Sequence, residues 1–292
     1  MLIREMTAAD IPAGLRLCRA SHWNQIEGDW RHFLKAAPHG ALAAVENNQV
    51  IGTVATLPYG PFAWISMVLV DPASRRRGVG TELLERGLAL IADPVVARLD
   101  ATPAGEPLYR KLGFAGEYAL TRWFRDGSGV DERHRAAPRD RVAGLRPNLT
   151  VRSLAAADWP MIRSIDAGAF GASRVALLTR LASDAPEYGW IAERDGRVRG
   201  YLFGRHGQVR EHLGPLVADA VETAAALLDA CLDAHAERAV FLDAPDDQRA
   251  WRAMLVDRGF AEERSFLRMH RGPLSTPGDP SIVYAITGPE FG

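Results

Sequence analysis

The ten residues Ile3-Arg4-Glu5-Met6-Thr7-Ala8-Ala9-Asp10-Ile11-Pro12 recur as Val151-Arg152-Ser153-Leu154-Ala155-Ala156-Ala157-Asp158-Trp159-Pro160, with Arg, Ala-Ala-Asp and Pro each displaced by 148 positions. Gly52 matches Gly200 at the same displacement, and Gly113-Phe114 matches Gly259-Phe260 at 146. Such spacing reads as two copies of one domain. A chain of 292 residues is long enough for two cores. The copies are expected at 1–125 and 149–292. Between them, 126–148 is polar, bears Gly and Arg and lacks periodicity, which suits a linker.

Within the first copy, Trp64-Ile65-Ser66-Met67-Val68-Leu69-Val70 is an apolar run ended by Asp71-Pro72, the pattern of a buried strand entering a turn. Beyond it, Leu83, Leu84, Gly87, Leu88 and Ile91 fall on one face of a helix. The turn between strand and helix is Arg75-x-x-Gly78-x-Gly80. A helix start presents unpaired N–H groups backed by the helix dipole, which favours an anion. Gly78 and Gly80 remove side chains where a ligand must come close, and Arg75, Arg76 and Arg77 add positive charge. Taken alone, the turn fits a phosphate site or a solvated basic loop. It has neither the Gly-Lys-Ser/Thr ending of a P-loop nor the glycine spacing of the dinucleotide fingerprint.

Further along, Leu108-Tyr109-Arg110-Lys111-Leu112-Gly113-Phe114 follows a second apolar strand, Val95-Val96-Ala97-Arg98-Leu99. Strand, Arg-x-x-Gly-x-Gly, helix, strand and Tyr-x-x-x-Gly-Phe in this order resemble the GNAT superfamily of acyl-CoA-dependent N-acetyltransferases, over residues 1 to about 125. The resemblance implies an α/β fold of two tandem GNAT-like domains, each a mixed, mostly antiparallel twisted sheet flanked by helices. It implies acetyl-CoA as cosubstrate, its pantetheine arm bonded by the backbone of Val68, Leu69 and Val70. The turn from Arg75 to Thr81 would wrap the pyrophosphate, mainly through N–H groups of Arg77, Val79, Gly80 and Thr81, with Arg75 and Arg76 screening the phosphates. The N–H of Val68 or a neighbour would stabilise the oxyanion. Tyr109, with an ordinary pKa of about 10, could protonate a thiolate of pKa about 8 to 9 as general acid; a structural tyrosine is the alternative.

Relatives often place a Glu or His base on the central strand. Here the inward candidates are Trp64, Ser66 and Val68, none a competent base. Ser66 could order a water, at the head of a water chain ending at Asp29, His32 or another carboxylate. The segment Ser21 to Trp30 is expected to roof the acceptor cleft, with Trp23, Asn24, Asp29 and Trp30 boxing an aliphatic or cationic amine. Equally, Trp23 and Trp30, seven apart, could share a helical face and pack inward. The expected reaction is acetyl transfer to the amine of a small molecule. Protein or peptide N-acetylation and a non-catalytic acyl-CoA sensor remain open.

The second copy lacks the turn, since Leu213-Gly214-Pro215-Leu216-Val217 leads into the helix from Asp219 to Ala236 with no Arg-x-x-Gly-x-Gly between. Leu255 stands where Tyr109 would be. That copy is expected to be degenerate, shaping or covering the first copy's cleft or serving structure alone. A net charge of −1 gives no general reason to expect nucleic acid, and Arg133-His134-Arg135 with Arg139 and Arg141 reads as a solvated basic stretch. Cys18 and Cys231 are too few for a disulfide framework or a cysteine-rich zinc site, and His22, His32 and His39 form no metal set. Without a signal peptide or a run of roughly 20 apolar residues, no membrane and a cytoplasmic monomer or homodimer are expected. The apolar stretch 281–287 before Gly288-Pro289-Glu290-Phe291-Gly292 could dock, by plain packing or in the cleft between the domains.

Overall fold

A computed structural model describes residues 1–93, 95–127 and 148–292. The expected linker at 126–148, apart from its ends, and the basic residues 133–141 lie outside the described residues. In the first half, β1 (Leu2–Glu5), α1 (Ile11–Ala20) and α2 (Glu27–Ala36) precede β2 (Ala41–Glu46), β3 (Gln49–Pro58) and β4 (Phe62–Val70). Then come α3 (Val79–Ala89), β5 (Val96–Ala101), α4 (Glu106–Lys111) and β6 (Ala115–Arg125). The second half repeats the order as β7 (Leu149–Ser153), α5 (Trp159–Phe170), α6 (Val175–Asp184), β8 (Trp190–Arg194), β9 (Arg197–Arg205), β10 (Glu211–Ala218) and α7 (Val221–Ala234). It continues with β11 (Val240–Pro245), α8 (Arg249–Asp257) and β12 (Ala261–Arg271), and closes with a short β13 (Val283–Ala285).

The repeat shows in detail. Arg4 binds Asp10 through both oxygens at 2.8 Å, and Arg152 binds Asp158 at 2.8 and 2.7 Å, so each copy pins its first strand to its first helix alike. Gly52 and Gly200 also have one physical reason. A Cβ on Gly52 would lie 2.9 Å from the Leu69 carbonyl oxygen, and one on Gly200 2.7 Å from that of Val217. Each glycine lets β3 or β9 close on the end of its neighbour.

The two half-sheets form one continuous sheet ordered β1-β2-β3-β4-β5-β12-β6-β11-β10-β9-β8-β7. Among the described residues only β4/β5 and β10/β11 pair in parallel. The matching strands β6 and β12 have changed places: β12 pairs with β5, β6 pairs with β11, and the two exchanged strands pair with each other, Phe266 opposite Leu120. Each carries an arginine to the other half's aspartate. Arg268 of β12 grips Asp100 of β5 at 2.8 and 2.9 Å, and Arg122 of β6 grips Asp243 of β11 at 2.7 and 2.8 Å. The side chains of both pairs are buried. Breaking one partner would strand a buried charge, at a cost of about 3–5 kcal/mol.

Apolar residues fill both faces. Leu83 and Leu84 of α3 pack on Val54, Ile65 and Leu99, while α7 covers the equivalent face of the second half. A third cluster joins the halves, running from Trp30 and Phe33 to Phe170, Leu177 and Phe291. Residues 286–292 are threaded into this seam. Trp64 Nε1 donates to the Pro289 carbonyl at 2.9 Å, the Tyr59 hydroxyl to that of Phe291 at 3.0 Å, and Phe291 stacks on Phe33 at 5.1 Å. Among the described residues no helix is long and apolar enough to cross a membrane, and no group of three or more His, Cys, Asp or Glu could hold a metal.

Candidate active site

β4 and β5 pair only from Phe62 opposite Val96 to Trp64 opposite Arg98, then part. A bulge helps open the fork. The β3/β4 register slips between Thr53 and Ala55, and Met67 takes a φ of 53°, a conformation unusual for a side-chain-bearing residue. Thr53 Oγ1 holds the Met67 carbonyl at 2.8 Å. The rest of β4 therefore leaves an edge facing the gap. A groove of about 1000 Å³ follows that edge, lined by Val68, Leu69, Val70, Arg75, Arg76, Gly78, Val79, Gly80, Thr81 and Tyr109.

At the groove's far end, Gly78 has a φ of 84° and caps α3 without a side chain. The first N–H groups of the helix thus have no intrahelical acceptor and no cap. Arg75 is turned onto the Val70 carbonyl through Nε at 3.2 Å. The Arg77 guanidinium is clamped by Glu46 at 2.7 and 3.0 Å, and Arg77 does not line the groove. Its side chain is spent on bracing the turn. Among the described residues Arg76, Arg75 and Lys111 on this groove make no ion pair, so these side chains and the helix start are its open positive features.

Where the fork is narrowest, the groove meets a smaller cavity lined by Trp23, Asn24, Gln25, Ser66, Val68, Tyr109, Arg264, Phe266, Pro289 and Glu290. Trp23, Val68, Asp100, Thr102, Tyr109 and Arg264 border both spaces. Tyr109 is half-buried at this junction, its ring edge-on to Phe114 at 5.9 Å and against Gly105, where a Cβ would lie 2.9 Å from Cε2. Burial pushes its hydroxyl up to about 12. The buried Ser66 Oγ and Gln25 Oε1 have no hydrogen-bond partner among the described residues.

The expected acceptor residues divide. Trp23 and Asn24 reach the cavity, although the Asn24 amide also braces the 207–210 turn, donating to the Arg210 carbonyl at 2.8 Å and accepting from Val209 N–H at 2.8 Å. Trp30 and Asp29 do not. Trp30 is fully buried where α1 crosses α2, its ring 2.7 Å from where a Gly14 Cβ would stand. Asp29 is buried too, capping its own helix from Ile26 N–H at 3.0 Å and bound by Arg180 and Arg205 at 3.1 Å each. Two tryptophans therefore do not box a cationic amine, since Trp23 alone of the pair lines the cavity.

His32 is likewise off the cavity, edge-on to Phe291 at 5.5 Å, so neither it nor Asp29 ends a water chain at Ser66. Burial first, then the Arg180 guanidinium, lowers His32 to about 4. A histidine depressed from 6.5 in the fold contributes stability above pH 6.5 that is lost as pH falls through about 4. Lowering the pH from 7 to 4.5 should lower the urea midpoint, and His32→Leu should flatten that slope; an unchanged slope would remove His32 as its source.

Gln25 lies in the segment expected to roof the cleft and Glu290 in the tail expected to dock, but sequence reasoning singles out neither, and it misses Arg264 and Phe266. For Arg264 a signal existed, since it stands four residues beyond the Gly259-Phe260 pair at the start of the exchanged strand. The second half's own fork is closed. β10 and β11 pair at Glu211 to Val240 and His212 to Phe241, and the free edge of β10 beyond is taken by β13, Leu216 opposite Ala285 and Val217 opposite Val283. The Gln248 side chain holds the Val283 carbonyl at 2.6 Å and Trp251 Nε1 that of Tyr284 at 2.8 Å. The chain's own strand fills what is a groove in the first half.

Comparison with known proteins agrees with this architecture. Residues 11–114 match the acetyltransferase (GNAT) family, and residues 162–285 match an acetyltransferase (GNAT) domain. The chain belongs to the GNAT acetyltransferases and carries two such domains in tandem. It is 24% identical over 251 residues to the uncharacterized N-acetyltransferase YitH of Bacillus subtilis (strain 168), covering 85% of this chain and 84% of that one. In fold it resembles a candidate acetyltransferase from Pyrococcus horikoshii, at TM-score 0.80 and 22% identity over 100% of this chain and 95% of the other. It also resembles a tandem GNAT protein from the clavulanic acid biosynthesis pathway, at TM-score 0.64 and 18% identity over 93% of this chain and 99% of the other.

Proposed function

We propose that the first half is an acetyl-CoA-dependent N-acetyltransferase with one active site per chain, acting on the amine of a small molecule. The observation that carries this reading is the open β4/β5 fork, with an uncapped glycine helix start at one end and Tyr109 with Ser66 at the other. The backbone of Val68, Leu69 and Val70 would take the pantetheine arm as an added strand. The N–H groups at Val79, Gly80 and Thr81 would take the pyrophosphate, with Arg76 alongside.

In the reaction, the amine nitrogen bonds to the thioester carbon and the C–S bond breaks. The Val68 N–H is assigned to the oxyanion, where a single donor can contribute about 3 kcal/mol. Tyr109 gives its proton to the departing sulfur. Ser66 Oγ, without a hydrogen-bond partner among the described residues, orders the amine or the water that removes its extra proton. A small acceptor is favoured over a protein because Pro289, Glu290, Arg264 and Phe266 of the second half wall the cavity.

The test is release of free thiol from acetyl-CoA with a panel of amines, amino acids and aminoglycosides. Turnover with at least one small amine is expected. Tight acetyl-CoA binding with no thiol release from any acceptor would replace the enzyme by a sensor.

A further inference from the structure

Arg264 borders the groove, the cavity and a third space, a channel of about 300 Å³ that opens outward past Arg19, Arg122, Arg210 and Glu263. The other ions around the cavity are matched. Arg122 is held by Asp243, Asp100 by Arg268, and Glu290 by Arg205. Among the described residues Arg264 has only Glu263, at 3.7 Å, beyond hydrogen-bond reach, and Glu263 is nearer to Arg210 at 3.2 Å. It is thus a partly buried guanidinium without a close counter-ion. Burial and the neighbouring Arg122 disfavour its charge, a strain that an arriving anion would relieve.

From this arrangement we infer that the acceptor is an amine bearing a carboxylate or phosphate, and that Arg264 of the second half binds that anionic group. The inference rests on the acetyl-transfer reading above. The charges of acetyl-CoA would sit at the Gly78 turn, which borders the groove but not the smaller cavity that Tyr109 and Arg264 line and where only the neutral thioester would lie. An anion beside Arg264 must then come from the acceptor. The opposite pole of the cavity suits the amine, because Ser66 Oγ and Gln25 Oε1 are buried acceptors without donors. Along the channel Arg122 is neutralised by Asp243 and Arg210 by Glu263, so Arg19 and Arg264 carry the excess positive charge, which draws in anions and disfavours polyamines.

Initial rates of thiol release test this with size-matched amines: glycine and β-alanine, phosphoethanolamine, ethanolamine and propylamine, and putrescine. The carboxylate and phosphate arms separate the two sources of negative charge. The intact protein should favour one of the anionic classes by roughly tenfold or more in kcat/KM, the worth of one charge-assisted hydrogen-bonded contact. Arg264→Gln should erase that preference by raising the acceptor KM, with the acetyl-CoA KM kept within about twofold, and Arg264→Lys should restore part of it. Circular dichroism melts check that the variants fold. Acetylation confined to neutral or cationic amines, or equal losses on all amines in Arg264→Gln, would overturn the substrate class and leave acetyl transfer standing. Absence of thiol release from every amine, with acetyl-CoA still bound in calorimetry, would overturn both.

Discussion

Tyr109→Phe is expected to lower kcat by roughly 10²- to 10⁴-fold while acetyl-CoA affinity stays within about twofold. The substitution removes one oxygen and leaves the packing. The ring keeps its edge-on contact with Phe114 and its place against Gly105, and among the described residues no group hydrogen-bonds the hydroxyl, so no protein contact is lost. What disappears is the donor at the junction of groove and cavity. Burial raises that hydroxyl to about 12, so it keeps its proton through the whole range in which the protein could be assayed. The kcat profile should accordingly show no alkaline fall assignable to Tyr109 below about 12. Acetyl-CoA titration by calorimetry and single-turnover thiol release separate the two effects. Unchanged turnover would make Tyr109 a structural residue.

The parts of the site legible in the sequence are those held by contiguous segments. The strand from Trp64, the Gly78 turn, the helix after it and the Tyr109 helix each carry their own local pattern, so their order alone places the groove. What escaped needed partners far along the chain. β6 and β12 both follow a Gly-Phe pair and read alike, so nothing local says which half each will join. The charges do not say either: Asp100 and Asp243 lie within equivalent strands, and Arg122 and Arg268 both stand eight residues past a Gly-Phe pair, so each arginine matches either aspartate. Those pairs could have been seen as a repeat of their own. The Trp23 and Trp30 spacing of seven misled for a different reason. α2 begins only at Glu27, so the two residues share no helix, and Trp23 reaches the cleft while Trp30 goes under Gly14. The stretch 281–287 reads as apolar enough to dock, but its site depends on a free edge of β10 that no sequence pattern reveals.

The filled fork of the second half is an internal control for a substitution at the Gly78 turn. Gly80→Glu should weaken acetyl-CoA binding by at least roughly a hundredfold, because a carboxylate about 4 Å from a phosphate opposes each negative charge by about 1 kcal/mol in water and about 4 at a protein surface. The fold should tolerate it. A Cβ at Gly80 would stand 3.4 Å from Val70 Cγ2 and 4.0 Å from Leu108 Cδ2, close to ordinary contact, and acidic residues in a helix's first turn are mildly stabilising. The melting temperature should therefore hold while binding fails, which separates loss of the cradle from loss of structure. Calorimetry of the unaltered protein should give one acetyl-CoA per chain, since β13 occupies the edge of β10 and no glycine turn precedes α7. In Gly80→Glu that single site should vanish with none left behind. A residual site of unchanged affinity would mean that the second half binds after all, through β13 giving way. Full affinity at one site per chain would move acetyl-CoA away from the Gly78 turn altogether.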